Sequence, residues 1–356
     1  MTHLLPKNKV QAAIQRAFSS LVFVNDPDAL TRFRGRWSPW LFNTPLHVVH
    51  QQAEQVYTFV LTDAETQQEL HGFFHLFVQN QQGISPLRAS FGSFEVAEVV
   101  SHADFSVWLN SIESFAVSQG IKSLSIRHYP SCYHPARSSF IKRGLVRHGF
   151  QLSQSSINHY ISVTSQPFET ALHASERRRL RKCLQADFRF EEWVSPSAEQ
   201  VYQFIAHNRQ RLGYSLSFRE EQLRLWLTVF PEIFRVFCVK NGEEIASLGL
   251  TVRVGKNVLY HFCPADNLAY RQYSPSVLLT KGLYEFSQQE GVTILDLGIS
   301  VDAAGQPKTS LARFKRNLGA QECEKWQFER KIGISTKMEK CRSNHAWVNL
   351  YVSLNQ

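Results

Sequence analysis

The chain has 356 residues, 43% of them apolar and 19% charged, which is long enough for two domains with full cores and unlike a disordered protein. It carries 39 Lys and Arg against 30 Asp and Glu, a formal charge of +9 that suits an anionic partner: nucleic acid, a phosphorylated cofactor or a membrane surface. No run of 18 apolar residues occurs, so no membrane insertion is expected, and the opening MTHLLPKNKVQAAIQRAF lacks the apolar stretch of a secretory signal, so the expected location is cytoplasmic. The six cysteines, at 132, 183, 238, 263, 323 and 341, show neither CxxC nor zinc-type spacing, and no HExxH occurs, so no metal site is expected.

Residues 1–45 open with an amphipathic helix (Val10, Ile14, Phe18) and continue through a turn-rich stretch. There Trp37, Trp40 and Phe42 form an aromatic group that either lines a pocket or caps a core, with the core the favoured reading. From Leu46 to Phe94 the pattern changes to strands, with HVVHQQ, VYTFVLTD and LHGFFHLFVQ separated by polar turns as in an antiparallel meander. Ser106 to Phe150 then reads helix, strand, helix, with Trp108, Ile112, Phe115 and Ala116 on the apolar face, and INHYISV (157–163) adds a strand. Ser165–Gln166–Pro167 is the best linker and places a boundary near 165.

The second half opens on a helix dense in base, PFETALHASERRRLRKCLQ. Arg177, Arg178, Arg179, Arg181 and Lys182 fall on several of its faces, which fits either a solvated surface or one turned to an anion. Two more helices, at 198–208 and 219–228, precede two or three antiparallel strands whose Asn241–Gly242 is a hairpin signal. In Ser274–Ala320, Ser274 or Ser276 can cap a helix with Pro275 in its opening turn, and Leu279, Leu283 and Phe286 make its apolar face. Gly291 stops that helix, and Val292–Ile299 follows as a strand covered on both sides. A second helix closes on Gly319, and EKWQFERK (324–331) supplies a last strand. Ser106–Val107 matches Ser276–Val277, and Gly149 matches Gly319, both pairs 170 positions apart, so the chain reads as a tandem duplication rather than a solenoid.

The element order, together with ERRRLRKCLQADFRF (176–190), PEIFRVFCVKNGEEIASLGL (231–250), ILDLGIS and LARFKRNLGA, resembles the GNAT acyltransferases. The second half is also similar to the acetyltransferase-like domain shared with the Fem peptidyltransferases, themselves tandem GNAT-like proteins. In the first half FGSFEV, HYPSCYHP and LVRHGF look similar to that family's N-terminal domain. The resemblance implies an α/β (α+β) fold of two tandem GNAT-like domains, each a mixed, mostly antiparallel sheet flanked by helices. They are expected as a degenerate copy over 1–165, an acyltransferase domain over 166–335, and a tail, 336–356, packing back on the fold.

For activity the resemblance implies transfer of an acyl group from an activated donor, a coenzyme A thioester, to a small-molecule or peptide amine. It places Arg271, Gln272, Ser274 and Ser276 where a GNAT phosphate loop would be, and Lys315 of the Phe–Lys pair facing the transferring acyl group. RQYSPS departs from that loop: it has no glycine, and Pro275 removes one N–H. The Fem donor, an aminoacyl-tRNA, is the alternative, and the basic helix at 177–182 would suit it. Asp296 lies within an apolar strand and reads either as a general base or as a satisfied structural carboxylate. Tyr260, with His261, Tyr270 and Tyr273, is a candidate leaving-group acid or substrate contact. A peptidoglycan-bridge peptidyltransferase is a special case of this activity. The rival class is a non-catalytic protein using its basic surface for a nucleic acid or an acidic partner.

Overall fold

The computed structural model describes residues 18–34 and 38–333. The first half runs β1 (Phe18–Val24), α1 (Pro45–His50), β2 (Gln55–Asp63), β3 (Leu70–Gln79), β4 (Gln82–Ser85), β5 (Glu95–Val96), α2 (His102–Ser118), β6 (Ser123–Arg127), α3 (Pro135–Arg147) and β7 (Gln151–Ser162). The second runs α4 (Ala174–Gln185), β8 (Phe188–Glu192), α5 (Ala198–Gln210), α6 (Glu220–Val229), β9 (Phe234–Asn241), β10 (Glu244–Gly255) and β11 (Val258–Asp266). It continues through α7 (Pro275–Gln289), β12 (Ile294–Ile299), α8 (Thr309–Asn317) and β13 (Gln321–Lys331).

The same unit occurs twice. In the first half β2, β3 and β4 pair antiparallel, and α2 then crosses over to place β6 parallel to β4. In the second, β9, β10 and β11 pair antiparallel and α7 places β12 parallel to β11. Local sequence accounts for these elements. Ser101 and Asp104 form a capping box at the start of α2, which satisfies two backbone N–H groups that the helix leaves open. Phe105, Trp108, Ile112 and Phe115 are then buried along its inner face. A two-residue turn, Gly242–Glu243, joins β9 to β10 one position beyond the Asn241–Gly242 signal, with Asn241 still paired to Glu244 and Gly242 at φ +59°.

All strands lie in one sheet, in the order β1-β2-β3-β4-β6-β13-β7-β12-β11-β10-β9-β8, with β5 beside β3. The final strands of the two halves are exchanged. β7, from the first half, pairs antiparallel with β12, whereas β13, from the second, pairs antiparallel with β6. The two also pair with each other over 151–160 and 321–329. Each half therefore completes the sheet of the other. Trp326 and Phe328 of β13 sit in the first half's core with Trp108 and Ile126, and Ile161 of β7 sits in the second half's with Leu279 and Leu295. A further core joins the halves, setting Phe42, Phe91, Tyr129 and Tyr133 against Leu223, Phe234 and Val252.

One expectation changes. HVVH is not a strand but α1: Thr44 caps it by accepting from the His47 N–H, and Pro45 occupies its first position. The apolar Val48–Val49 pair is too short to carry a period, so the start signal before it decides the outcome. The antiparallel meander instead begins with β1, which pairs with β2, so its first strand precedes α1. The helix proposed at Val10–Phe18 lies outside the described residues except for Phe18, which opens β1. Trp37 is also outside them. Trp40 packs against Tyr129 and Tyr133, with ring centroids at 5.6 and 5.3 Å, so it caps a core as expected. No described helix is long and apolar enough to cross a membrane.

Candidate active site at the splayed strands

β11 and β12 pair only over Val258–Tyr260 and Ile294–Asp296. Beyond that, β11 stays with β10 and β12 with β7, so the two diverge and leave a wedge. A cavity of about 790 Å³ fills it, lined by Tyr260, His261, Asp266, Ser276, Thr280, Gly298, Ile299, Phe314 and Lys315 among others. Strand ends whose backbone is no longer paired to a neighbour suit an extended donor and a polarised carbonyl.

Lys315 is 8% exposed, and its Nζ donates to the carbonyls of Gly298 at 2.9 Å and Ile299 at 2.8 Å. A bulge makes this possible. The β12–β7 register shifts between Asp296 and Gly298, and Gly298 takes φ +73°, a left-handed conformation that glycine adopts without penalty. The bulge turns two successive carbonyls toward α8. Burial brings the Lys315 ammonium down to about 8, against the opposing pull of the Asp296 carboxylate. An ammonium has three protons, so one remains beyond these two carbonyl bonds.

His261 stands on the same wall. It is 7% exposed and its Nε2 has no partner. Burial, with the Lys315 charge behind it, pushes the imidazole down to about 3, so the ring is neutral at physiological pH. Gly249, across the ladder on β10, makes room for it: a Cβ there would lie 2.7 Å from His261 Nε2. Gly249→Ala is therefore expected to displace the imidazole and lower kcat about tenfold or more, with the protein still folded. Steady-state kinetics beside a thermal melt checks this.

The proposed loop residues divide. Ser276 lines the cavity, but Arg271 and Gln272 are exposed, and neither they nor Ser274 belong to its lining. The Gln272 carbonyl accepts from Lys182 Nζ at 3.1 Å, which ties α4 to this turn. Neither serine caps α7. Ser274 sits at the cap position with φ +53° and makes no side-chain cap bond, whereas the Ser276 hydroxyl donates to Asp266 Oδ2. Ser247 donates to the other Asp266 oxygen at 2.5 Å. Burial raises the pKa of Asp266 despite both hydroxyls.

A pyrophosphate fits this terminus poorly. Pro275 lacks an N–H, residues 267–276 contain no glycine to let an anion approach the backbone, and a carboxylate already stands at the spot. A like charge there opposes an anion and favours a cation. Among the described residues, the start of α7 thus does not supply the phosphate cradle that coenzyme A would need there.

Asp296 is 1% exposed and is not part of the cavity lining. It accepts from Tyr133 Oη at 2.6 Å, Asn158 Nδ2 at 2.8 Å and the Gly298 N–H at 2.7 Å, so of its two readings the geometry matches the satisfied structural carboxylate. Tyr260 pairs opposite it in the register and does line the cavity, its phenol held up by burial and by the Asp296 charge. Tyr270 and Tyr273 are engaged elsewhere, Tyr270 with the Glu244 carboxylate and Tyr273 under Lys182. Tyr133, Asn158 and Asp266 were invisible as site residues, because their partners lie far away in sequence or across the ladder.

This wedge, with a crossover helix opening beside it, is the architecture of the GNAT acyltransferases. Residues 173–316 match the family model described as an acetyltransferase (GNAT) domain, and that part of the chain is a GNAT domain. Across most of its length the chain is similar in fold to the crystal structure of FemX, at 12% identity and a TM-score of 0.59, covering 80% of this chain and 90% of that one. It is also similar to a tandem GNAT protein from the clavulanic acid biosynthesis pathway, solved without AcCoA. There the identity is 11% and the TM-score 0.50, covering 79% of this chain and 84% of that one. No curated protein matches the sequence.

Proposed function

We propose that the protein is a cytoplasmic N-acyltransferase that moves an aminoacyl group from an ester donor, an aminoacyl-tRNA, onto an amine. The observation that carries this reading is the pairing, in one cavity, of the buried Lys315 ammonium with the Asp266 carboxylate at the opening of α7. The ammonium suits the oxyanion of an attacked carbonyl, and the carboxylate suits the α-ammonium of an aminoacyl group. In the reaction the amine nitrogen bonds to the acyl carbon, giving a tetrahedral oxyanion beside Lys315 Nζ. The ester C–O bond then breaks, the amine loses a proton, and the leaving hydroxyl gains one. With a pKa of about 8, Lys315 is a competent donor of that proton near neutrality.

The outer surface agrees with such a donor. On α4, Arg177, Arg178 and Arg181 are exposed and form no ion pair among the described residues, whereas Arg179 pairs with Glu176 at 2.9 Å. Lys182 ties this helix to the turn before α7. Phosphates of an RNA end tracking along α4 would lead its acyl terminus toward the wedge. A second reading, transfer from an acyl-coenzyme A, is favoured by the GNAT family match. It requires the pyrophosphate to bind away from the start of α7.

The deciding experiment offers the full chain a charged tRNA pool and acetyl-coenzyme A separately, reading thermal shift and loss of donor in the presence of amine. Stabilisation by charged tRNA that weakens steeply with salt, with deacylation dependent on amine, is expected. Acetylation of the amine by acetyl-coenzyme A alone would select the second reading. Silence with both donors would leave neither standing.

A further inference from the structure

A second cavity, of about 1000 Å³, opens where the first half meets α6 and the β9–β11 sheet. Its walls include the aromatic rings of Phe42, Trp226, Phe234 and Phe262. Its charge is one-sided: Arg88, Arg127 and Arg219 line it, with Glu221 as the single acidic side chain of the lining. All three arginines are exposed, and none forms an ion pair among the described residues. Where their side chains do bond, the partners are neutral: Arg88 Nη1 to Gln52 Oε1 at 3.1 Å and Arg127 Nη1 to the Ala89 carbonyl at 3.1 Å. His47 also lines the cavity, is 3% exposed, and has an Nδ1 without a partner. Unpaired guanidinium forks around an aromatic-walled hollow are suited to a planar or tetrahedral anion.

The two cavities adjoin. Ser90, Ser217 and Phe262 line both, and Ser90 is within hydrogen-bonding reach of the Tyr260 phenol at the wedge. A molecule seated in the larger cavity therefore has a short way to the acyl carbonyl.

We propose that this cavity is the acceptor site, and that the acceptor is an amine carrying a carboxylate or phosphate group gripped by Arg88, Arg127 and Arg219. The word acceptor rests on the acyl-transfer reading; the anion grip does not, since it involves none of the donor-side residues. The aromatic walls cover the apolar middle of such a molecule. Its amine points past Ser90 into the wedge, and its anionic end stays among the arginines.

The test is calorimetric titration of the full chain, without any donor, with 6-aminohexanoate, 6-aminohexyl phosphate and 6-aminohexanamide, which shares their ammonium but has an uncharged far end. At least one of the two compounds with an anionic end is expected to bind about tenfold or more tightly than the amide, as charge-assisted hydrogen bonds require. Which of the two it is distinguishes carboxylate from phosphate. Arg127→Gln and Arg219→Gln are each expected to remove about tenfold of that binding, whereas Arg147→Gln on α3, outside the lining of both cavities, leaves it unchanged. Should either variant melt early, Arg88→Gln at the rim supplies the same reading. Equal affinity for the three compounds, or binding indifferent to the arginines, overturns the proposal. No turnover enters the measurement, so a failure to find a donor is a separate result.

Discussion

Lys315→Met is expected to lower kcat by about 10²- to 10³-fold, the magnitude seen when one preorganised oxyanion donor is removed. The fold should survive, because methionine keeps most of the apolar stem in its buried place and the two carbonyls it abandons, Gly298 and Ile299, border a cavity that water can enter. A pH profile separates this role from packing. The oxyanion needs the Lys315 ammonium, so with the acceptor amine supplied in its unprotonated form the rate constant should hold below pH about 8 and fall as pH rises through it. Stability moves the other way. The unfolded chain keeps this proton to about 10.5 and the folded one only to about 8, so unfolding takes up a proton between those values and stability rises with pH across that window. Lys315→Met should remove both effects. A variant that loses activity but keeps the wild-type pH profile in its residual rate would sink the assignment.

Asp296→Ala should produce the largest loss of stability, about 3–5 kcal/mol in urea unfolding, because it orphans three buried donors at once. Those donors come from Tyr133, 163 residues away, from Asn158, 138 residues away, and from the Gly298 N–H two residues on. Tyr133→Phe removes one of the three and should cost about 1–2 kcal/mol. Activity should fall with Asp296→Ala even where the protein still folds, since the bulge that presents Gly298 and Ile299 to Lys315 leans on this carboxylate. Full activity at full stability would show that Asp296 merely occupies its place.

Much of the scaffold was readable because its signals are local. The helical apolar face of Ser274–Phe286, its glycine stop, the covered strand around Leu295 and the Phe314–Lys315 pair all lie within a few turns of one another. What stayed hidden depends on distant partners. Nothing in QLSQSSINHYIS or QECEKWQFERK says which β-sheet each will join, because both read only as closing strands. Ser276 looked like a cap until Asp266, ten residues earlier, claimed its hydroxyl. His261 was one aromatic among several, and its idle ring nitrogen becomes meaningful only beside Gly249 on the neighbouring strand. Val48–Val49 misled because a short apolar pair carries no period of its own.

The crossing of β7 and β13 has a consequence for how the chain is made. While the protein emerges from the ribosome, the free side of β6 waits bare until the last described strand, ending at Lys331, has been synthesised. Neither copy can mature before its sibling, so folding should proceed late, slowly and as one event. A gene truncated between the repeats would yield not a working half but a sticky edge.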